Sequence, residues 1–220
     1  MIALVRYTAA VMFHSQRYLP PALVFIACMA LFANDAGAQP VVPIFAPMTA
    51  VALVCSAWST AALIAVEDPV QRAITAVNTG RSWALLVAVV VVVLLTSAVL
   101  AGLVVVLPGV LGNDRVTALD LATGAVALVA ASCLGTAIGM VTSRLVIRRP
   151  GWSLLAALLL LVVVLLTRGL PPINPLVLLL ARTESATAGV LATTAWSAVV
   201  AVVVLLLCAV VTQVVATRRD

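Results

Sequence analysis

A side chain that does chemistry must act as an acid, a base, a nucleophile or a metal ligand, and this chain offers few of any. Its 220 residues hold one histidine (His14), four cysteines (Cys28, Cys55, Cys133 and Cys208), seven acids and twelve arginines, with no lysine. A P-loop needs a lysine that reaches the nucleotide phosphates, so that motif is excluded. H-E-x-x-H and G-x-S-x-G are both absent, which removes the helix-borne zinc hydrolase and the nucleophile elbow. The cysteines show no C-x-x-C or Cys/His spacing and support neither a zinc site nor a disulfide framework. All four lie in apolar runs and read as small hydrophobes. His14 reads as a polar residue at headgroup level rather than a metal ligand or proton relay. Asp120 is the one acid in a long apolar run, near one end of it. It reads as a solvated helix-start residue, with a cavity position as the alternative. No catalytic residue and no cofactor or metal ligand is assigned.

The elements that must carry these residues are set by composition. Hydrophobic residues make up 65% of the chain and charged residues 9%, against roughly 45–50% and about 25% in a soluble domain. Lipid is therefore the solvent for most of the chain. A spanning helix needs about 20 apolar residues. Runs 44–66, 84–107 and 189–217 reach that length without a charge, and 116–143 contains only Asp120. Runs 19–33 and 152–167 are shorter and sit beside Pro20–Pro21 and Pro171–Pro172, as broken or partly buried spans would. The runs are continuous rather than alternating, which argues against a membrane β-barrel. The expected fold is an all-α integral membrane protein of about six transmembrane helices. An N-terminal interfacial elbow helix (1–18) precedes a single membrane domain (19–220).

Charge orients the spans. With both termini cytoplasmic, Arg6, Arg17, Arg72, Arg81, Arg144, Arg148, Arg149, Arg218 and Arg219 fall inside, and only Arg115, Arg168 and Arg182 fall outside. That is the positive-inside bias. The basic balance thus reflects orientation and does not point to nucleic acid, since no basic stripe is interleaved with aromatics. Trp83 and Trp152 open two of the spans at the inner interface, where indole is favoured. Trp58 and Trp196 lie deeper. A competing reading takes 1–38 as a secretory signal ending in Ala36-Gly37-Ala38. Against it, about 18 residues precede the apolar run, long for the charged leader of such a signal.

Four local patterns stand out. In 1–18, Ile2, Val5, Ala9, Met12 and Phe13 share one helical face while Arg6, Ala10, His14 and Arg17 share another, which suits a helix lying in the interface. Between the second and third spans, Asp68 can cap a helix with Pro69 at its first position and Gly80 just past its end. Val70, Ala73, Ile74 and Val77 would form its apolar stripe, opposite Gln71, Arg72, Thr75 and Asn78. It would lie flat on headgroups or dock in another protein's groove. Ala127, Ala131, Gly135 and Gly139 recur at intervals of four, a small-residue seam for close helix approach, within the chain or between subunits. Finally, 168–185 breaks the apolar pattern and reads as a short outer or re-entrant helix. Asn174 is expected to cap it, with Pro175 at its first position.

This layout resembles the permease subunits of type-2 ABC exporters. The stretches Arg17-Tyr18-Leu19-Pro20-Pro21 and Glu67-Asp68-Pro69-Val70-Gln71-Arg72 resemble short permeases of that kind from actinobacteria, and the all-arginine basic set suits a GC-rich bacterial genome. The resemblance covers nearly the whole chain through layout more than through sharp motifs. It implies a bacterial plasma-membrane protein that works with a separate ABC ATPase subunit, which binds ATP and Mg, and with a second permease chain, identical or not. It implies that the loop 67–83 is the coupling segment, with Glu67, Asp68, Pro69, Gln71, Arg72 and Ile74 seated in the ATPase. Within segment 168–185, the stretch Pro171 to Ala181 would match the outer helices that close the exit. Trp58, Ser59, Thr60, Thr193, Thr194, Trp196 and Ser197 would give sparse polarity to a path for a hydrophobic or amphipathic substrate. Ordinary helix packing is the alternative for each of these seven. The rival functions are an ATP-independent carrier or channel, and a membrane scaffold without flux.

Overall fold

Apolar runs of this length leave the backbone one way to satisfy its own hydrogen bonds inside lipid, as helices. In the computed structural model, residues 2–33, 40–66, 82–110, 116–147, 149–167, 169 and 172–217 are described. They form eight helices: α1 (Ile2–Ser15), α2 (Leu19–Ala33), α3 (Val42–Ile64), α4 (Ser82–Val110), α5 (Ala118–Val141), α6 (Pro150–Leu166), α7 (Ile173–Arg182) and α8 (Ala188–Thr217). No strand occurs among the described residues. Residues 67–81, which hold the expected coupling residues Glu67, Asp68, Pro69, Gln71, Arg72 and Ile74, lie outside them. So does the 36–38 motif.

The chain is an all-helical membrane protein. Helices α3, α4, α5 and α8 are each long and apolar enough to cross a bilayer, and the bent pair α1–α2 makes a fifth candidate. At 1.5 Å per residue α2 and α6 reach only about 22 and 26 Å, short of a hydrocarbon layer of roughly 30 Å. The two runs expected to be broken or partly buried are thus the two short helices.

Helix α5 is the centre. From Ala130 to Met140 every residue is buried, because α3 packs along one side and α8 along another. A Cβ on Gly124 would lie 2.5 Å from the Phe45 ring, and one on Gly139 would lie 2.5 Å from the Ala57 carbonyl oxygen. On Gly135 it would meet Ser56 Oγ and the Leu53 carbonyl oxygen. The seam is therefore internal: Gly135 and Gly139 admit the backbone of α3, while Ala127 and Ala131 are fully buried. In lipid, close approach of this kind, rather than removal of apolar area from water, is what holds helices together.

The register of that seam fixes the topology. Phe45, Ser56 and Thr60 on α3 meet Gly124, Gly135 and Gly139 on α5 in the same order, so the two helices are parallel. Helix α8 starts beside the start of α5, where the Ala186 N–H donates to Asp120 Oδ1 at 2.7 Å, and packs along it, so it is parallel too. Three parallel helices in one chain need a return between each pair. Helix α4 makes the first return and α6 with α7 the second. The chain thus traverses the slab six times, two of them by helices shorter than a bilayer. The α1–α2 elbow and the ends of α3, α5 and α8 lie on one side, and the starts of those three helices lie on the other.

Boundaries follow local chemistry. Thr117 and Asp120 form a full capping box at the start of α5, which ties off two of the free N–H groups there. Pro43 and Pro150 sit in the first turns of α3 and α6, where a missing N–H costs nothing. Helix α4 runs through Pro108 to Val110, three residues past the apolar run 84–107. Beyond α6, helix α7 begins at Ile173 with Pro172 at the cap position, so Asn174 does not cap it as expected.

Candidate functional site

Among the described residues no group of His, Cys, Asp and Glu is placed to hold a metal ion. The seven expected path residues fall in two groups. Trp58, Ser59 and Thr60 are on α3; Thr193, Thr194, Trp196 and Ser197 are on α8. Helix α5 lies between these helices, and the structure does not bring the two groups together within one chain. Trp58 and Trp196 are 45% and 69% exposed, so neither packs inside the bundle. Both indoles face the surroundings of the slab.

The hydroxyls between them turn inward on their own helices. Thr60 donates to the Ser56 carbonyl at 2.7 Å, and Thr194 donates to the Val190 carbonyl at 2.8 Å. Thr193 donates to Gly189 at 2.9 Å and Ser197 to Thr193 at 3.1 Å. Each has spent its one proton on a carbonyl a turn earlier and retains only acceptor capacity. Thr60 and Thr194 are fully buried and Ser197 is buried, so these three pack between helices. Thr193 is exposed and Ser59 half-buried, and these two, with the tryptophans, are open to a ligand.

On the side where α5 and α8 begin, two polar residues fasten the helices. Asp120 is buried, with 4% exposure, and is not the solvated residue expected. Its Oδ2 accepts from the Thr117 backbone N–H at 3.0 Å and from Thr117 Oγ1 at 2.7 Å. Its Oδ1 takes the Ala186 N–H, so one carboxylate caps α5 and pins the segment that leads into α8. The Thr-x-x-Asp pattern of a capping box was legible in the sequence; the reach to Ala186, 66 positions away, was not. Asn174 is buried and donates from Nδ2 to the Leu165 carbonyl at 2.7 Å, joining α7 to the last turn of α6. Its Oδ1 has no partner.

Helix α7 lies on this side as an amphipathic wedge. Ile173, Leu176 and Leu180 are buried at helical spacing, and the helix packs chiefly on α3. Pro175 and Arg182 face outward. The expected short helix within 168–185 is therefore present, longer by three residues at its start and one at its end than the apolar stretch 176–181.

On the opposite side, α1 and α2 meet at 77°. The break needs a left-handed residue, and Gln16 supplies it at φ 53°. Thr8 and Met12 are buried and Val5 and Ala9 half-buried on the inner face of α1, while Arg6, Ala10 and His14 point outward. Ile2 and Phe13, expected on the inner face, are exposed. Phe13 instead meets the Tyr18 ring edge-on at 5.2 Å. Arg17 Nη1 donates to the Ala65 carbonyl at the end of α3, at 3.3 Å, fastening the bend to that helix.

Charge divides between the two sides. Among the described residues, Arg6, Arg17, Arg144 and Arg149 lie on the elbow side, and both acids, Asp120 and Glu184, lie on the other with Arg182. No described residue is charged in the middle of a span. Comparison of the chain with family models, with curated proteins and with solved structures finds no match.

Proposed function

We propose that this chain is the membrane-spanning permease subunit of an ATP-driven exporter, working in a bacterial plasma membrane with a separate ABC ATPase and a second permease chain. The proposal rests on the resemblance in layout described above, and one observation carries it furthest. Segment 67–81 leaves the sequence directly after α3, the helix locked to α5 through Gly135 and Gly139. A push on that segment from outside the membrane would pass into the most extensively packed pair among the described helices. The bent elbow α1–α2 and the short wedge α7 agree with the same reading.

The energy source must be external on this reading. A carrier driven by an ion gradient needs a titratable or ion-binding group deep in a span, and no described span places a charge there. ATP and Mg would bind to the partner, whose closure would drive the coupling segment. The substrate would be hydrophobic or amphipathic, received on surfaces that include Trp58 and Trp196. Cytoplasmic placement of the elbow side follows from its excess of arginine, which leaves Asp120, Asn174 and α7 at the outer face, where they would form the exit.

Copurification of a P-loop ATPase with this chain from its native membrane, before and after charge reversal at Glu67, Asp68 and Arg72, tests the coupling assignment. Loss of the partner on reversal supports it, and equal recovery of both forms refutes it. Labelling a cysteine introduced at Gln71 in intact cells tests the orientation. Reaction with a membrane-impermeant reagent from outside would reverse it.

A further inference from the structure

Both ends of the short helix α6 are described. Arg149 before it and Thr167 after it have extended backbone, so the helix stops at Pro150 and at Leu166. At 1.5 Å per residue it covers about 26 Å, and tilt can only shorten its reach across the membrane. In the sequence Arg149 and Arg168 bracket its apolar run. A hydrocarbon layer of roughly 30 Å exceeds it by about 4 Å. The helix is also held at one depth. Near its start Ser153 Oγ donates to the Thr142 carbonyl, at the end of α5. Near its finish the Leu165 carbonyl accepts from Asn174 Nδ2 at 2.7 Å. Helix α7 packs chiefly on α3, so it does not lengthen the α6 edge.

A span that is too short is met by thinning of the lipid, by flanking side chains that reach outward, or by association. Reaching side chains relocate charge but add no apolar surface. Association in lipid needs small residues where two helices meet. Here every exposed side chain from Leu154 to Leu166 is leucine or valine, while Ala156 and Ala157 lie on the half-buried side. At 3.6 residues per turn the exposed positions spread over more than about 180° of the helix, wider than the stripe of about 100° that one packed face takes. Lipid is thus the occupant this surface fits. The other edges differ. Helices α4 and α8 have 29 and 30 residues, about 44 and 45 Å. They expose large apolar side chains as far as Val110 and Val214.

We infer that the α6 edge is an interaction surface for short-chain lipid: it gathers phospholipids with shorter acyl chains than the bulk and thins the bilayer beside it. The long helices α4 and α8 can tilt to suit a bilayer, whereas α6 leaves the adjustment to the lipid. The two headgroup layers therefore approach each other more closely along α6 than along α4 or α8. The inference needs only the membrane placement and holds whether or not the chain transports anything.

Two triple variants of the full chain test this. Trp58→Phe, Trp83→Phe and Trp196→Phe together leave Trp152 in the first turn of α6. Trp58→Phe, Trp152→Phe and Trp196→Phe together leave Trp83 in the first turn of α4. Both retained indoles are exposed. Each variant is reconstituted in an equimolar mixture of dimyristoleoyl phosphatidylcholine and chain-brominated dioleoyl phosphatidylcholine, and its quenching is referred to that in the brominated lipid alone. Short-chain lipid should be enriched roughly two- to fivefold around Trp152 over Trp83, the scale set by relieving a few ångströms of mismatch. Equal enrichment at the two tryptophans overturns the inference. So does a lack of quenching at Trp152 in brominated lipid alone, which would place a second copy of the chain there. If the variants do not fold, short- and long-chain photoactivatable phosphatidylcholines on the unaltered chain decide. A short-to-long crosslink ratio higher over 154–166 than over 202–214 supports the thin edge, and an equal ratio refutes it.

Discussion

Gly135→Ala adds a single methyl group, and its effect follows from the α3–α5 seam. The new Cβ would fall against Ser56 Oγ and the Leu53 carbonyl oxygen, and 3.1 Å from the Ala57 backbone nitrogen. A side chain can turn away, but two of these three neighbours are backbone, so α3 must shift. Overpacking of this kind costs about 1–3 kcal/mol, with the upper end expected where backbone is met. Alanine returns up to about 1 kcal/mol over glycine in helix propensity, leaving a net loss of about 2 kcal/mol. For a chain of this size that is a fall of about 4–8 °C in Tm, read by thermal unfolding in detergent. Gly102→Ala is the control. Nothing lies within 4 Å of its Cβ position, so its Tm should hold or rise. Ser56→Ala in the Gly135→Ala background should recover only part of the loss, because the Leu53 carbonyl remains. An unchanged Tm for Gly135→Ala would refute the seam. So would a loss that fades as protein concentration rises, since that would place the seam between chains.

Three further outcomes are expected. Asp120→Ala removes a capping box, worth about 1 kcal/mol, and a charge-assisted bond to the Ala186 N–H, worth about 1.5–3 kcal/mol. Tm should fall, and protease should cut faster within 183–187; equal cutting rates would show that the carboxylate does not pin that segment. Gln16→Gly relieves a left-handed residue at the elbow, which costs about 1–2 kcal/mol for an L side chain, so Tm should rise slightly, whereas Gln16→Val should lower it. Trp58→Ala and Trp196→Ala touch exposed indoles and should leave Tm within a degree or so. On the proposed function they should instead reduce efflux of an amphipathic substrate by cells; a fall in Tm without loss of efflux would make them packing residues.

The placement of helices was legible because lipid permits so little else. Every apolar run became a helix, and the two runs shorter than a bilayer became the two short helices. The seam at Gly135 and Gly139 was legible as a pattern, since only small residues allow backbones so close, but its partner was not. Gly124 against Phe45 went unnoticed because it stands three positions before Ala127, off the strict interval of four. The helix start at Thr117 could have been read from its capping box. That Asp120 also reaches Ala186 depends on α8 lying parallel to α5, which no local pattern encodes. Asn174 misled for a related reason: an asparagine before a proline is a good cap in isolation, yet its amide reaches the carbonyl of Leu165 and the helix starts two residues earlier than expected, at Ile173. At the elbow, the positive φ of Gln16 had no signal, as neither glycine nor asparagine stands there.

The distribution of packing says where this molecule can move. Helices α3, α5 and α8 form a slab whose α3–α5 face tolerates no added atom and whose start is pinned by one carboxylate. Helix α6 is otherwise. Val164 is its only buried residue among those whose side chains are described, and its polar ties are Ser153 to the Thr142 carbonyl at one end and Asn174 to Leu165 at the other. A helix with few buried contacts opens at low free energy, and a close-packed one does not. Motion driven from the α3 end would therefore carry the slab as one body, and the shear would fall on α6 and on the elbow. Those are also the places where side chains outside the slab hold on by single hydrogen bonds, Arg17 to Ala65 and Asn174 to Leu165. Exchange of backbone amide hydrogens should accordingly be slowest in α5 and fastest, among the described helices, in α1 and α6. A uniformly slow pattern would mean that a partner chain, rather than lipid, covers the exposed leucines of α6.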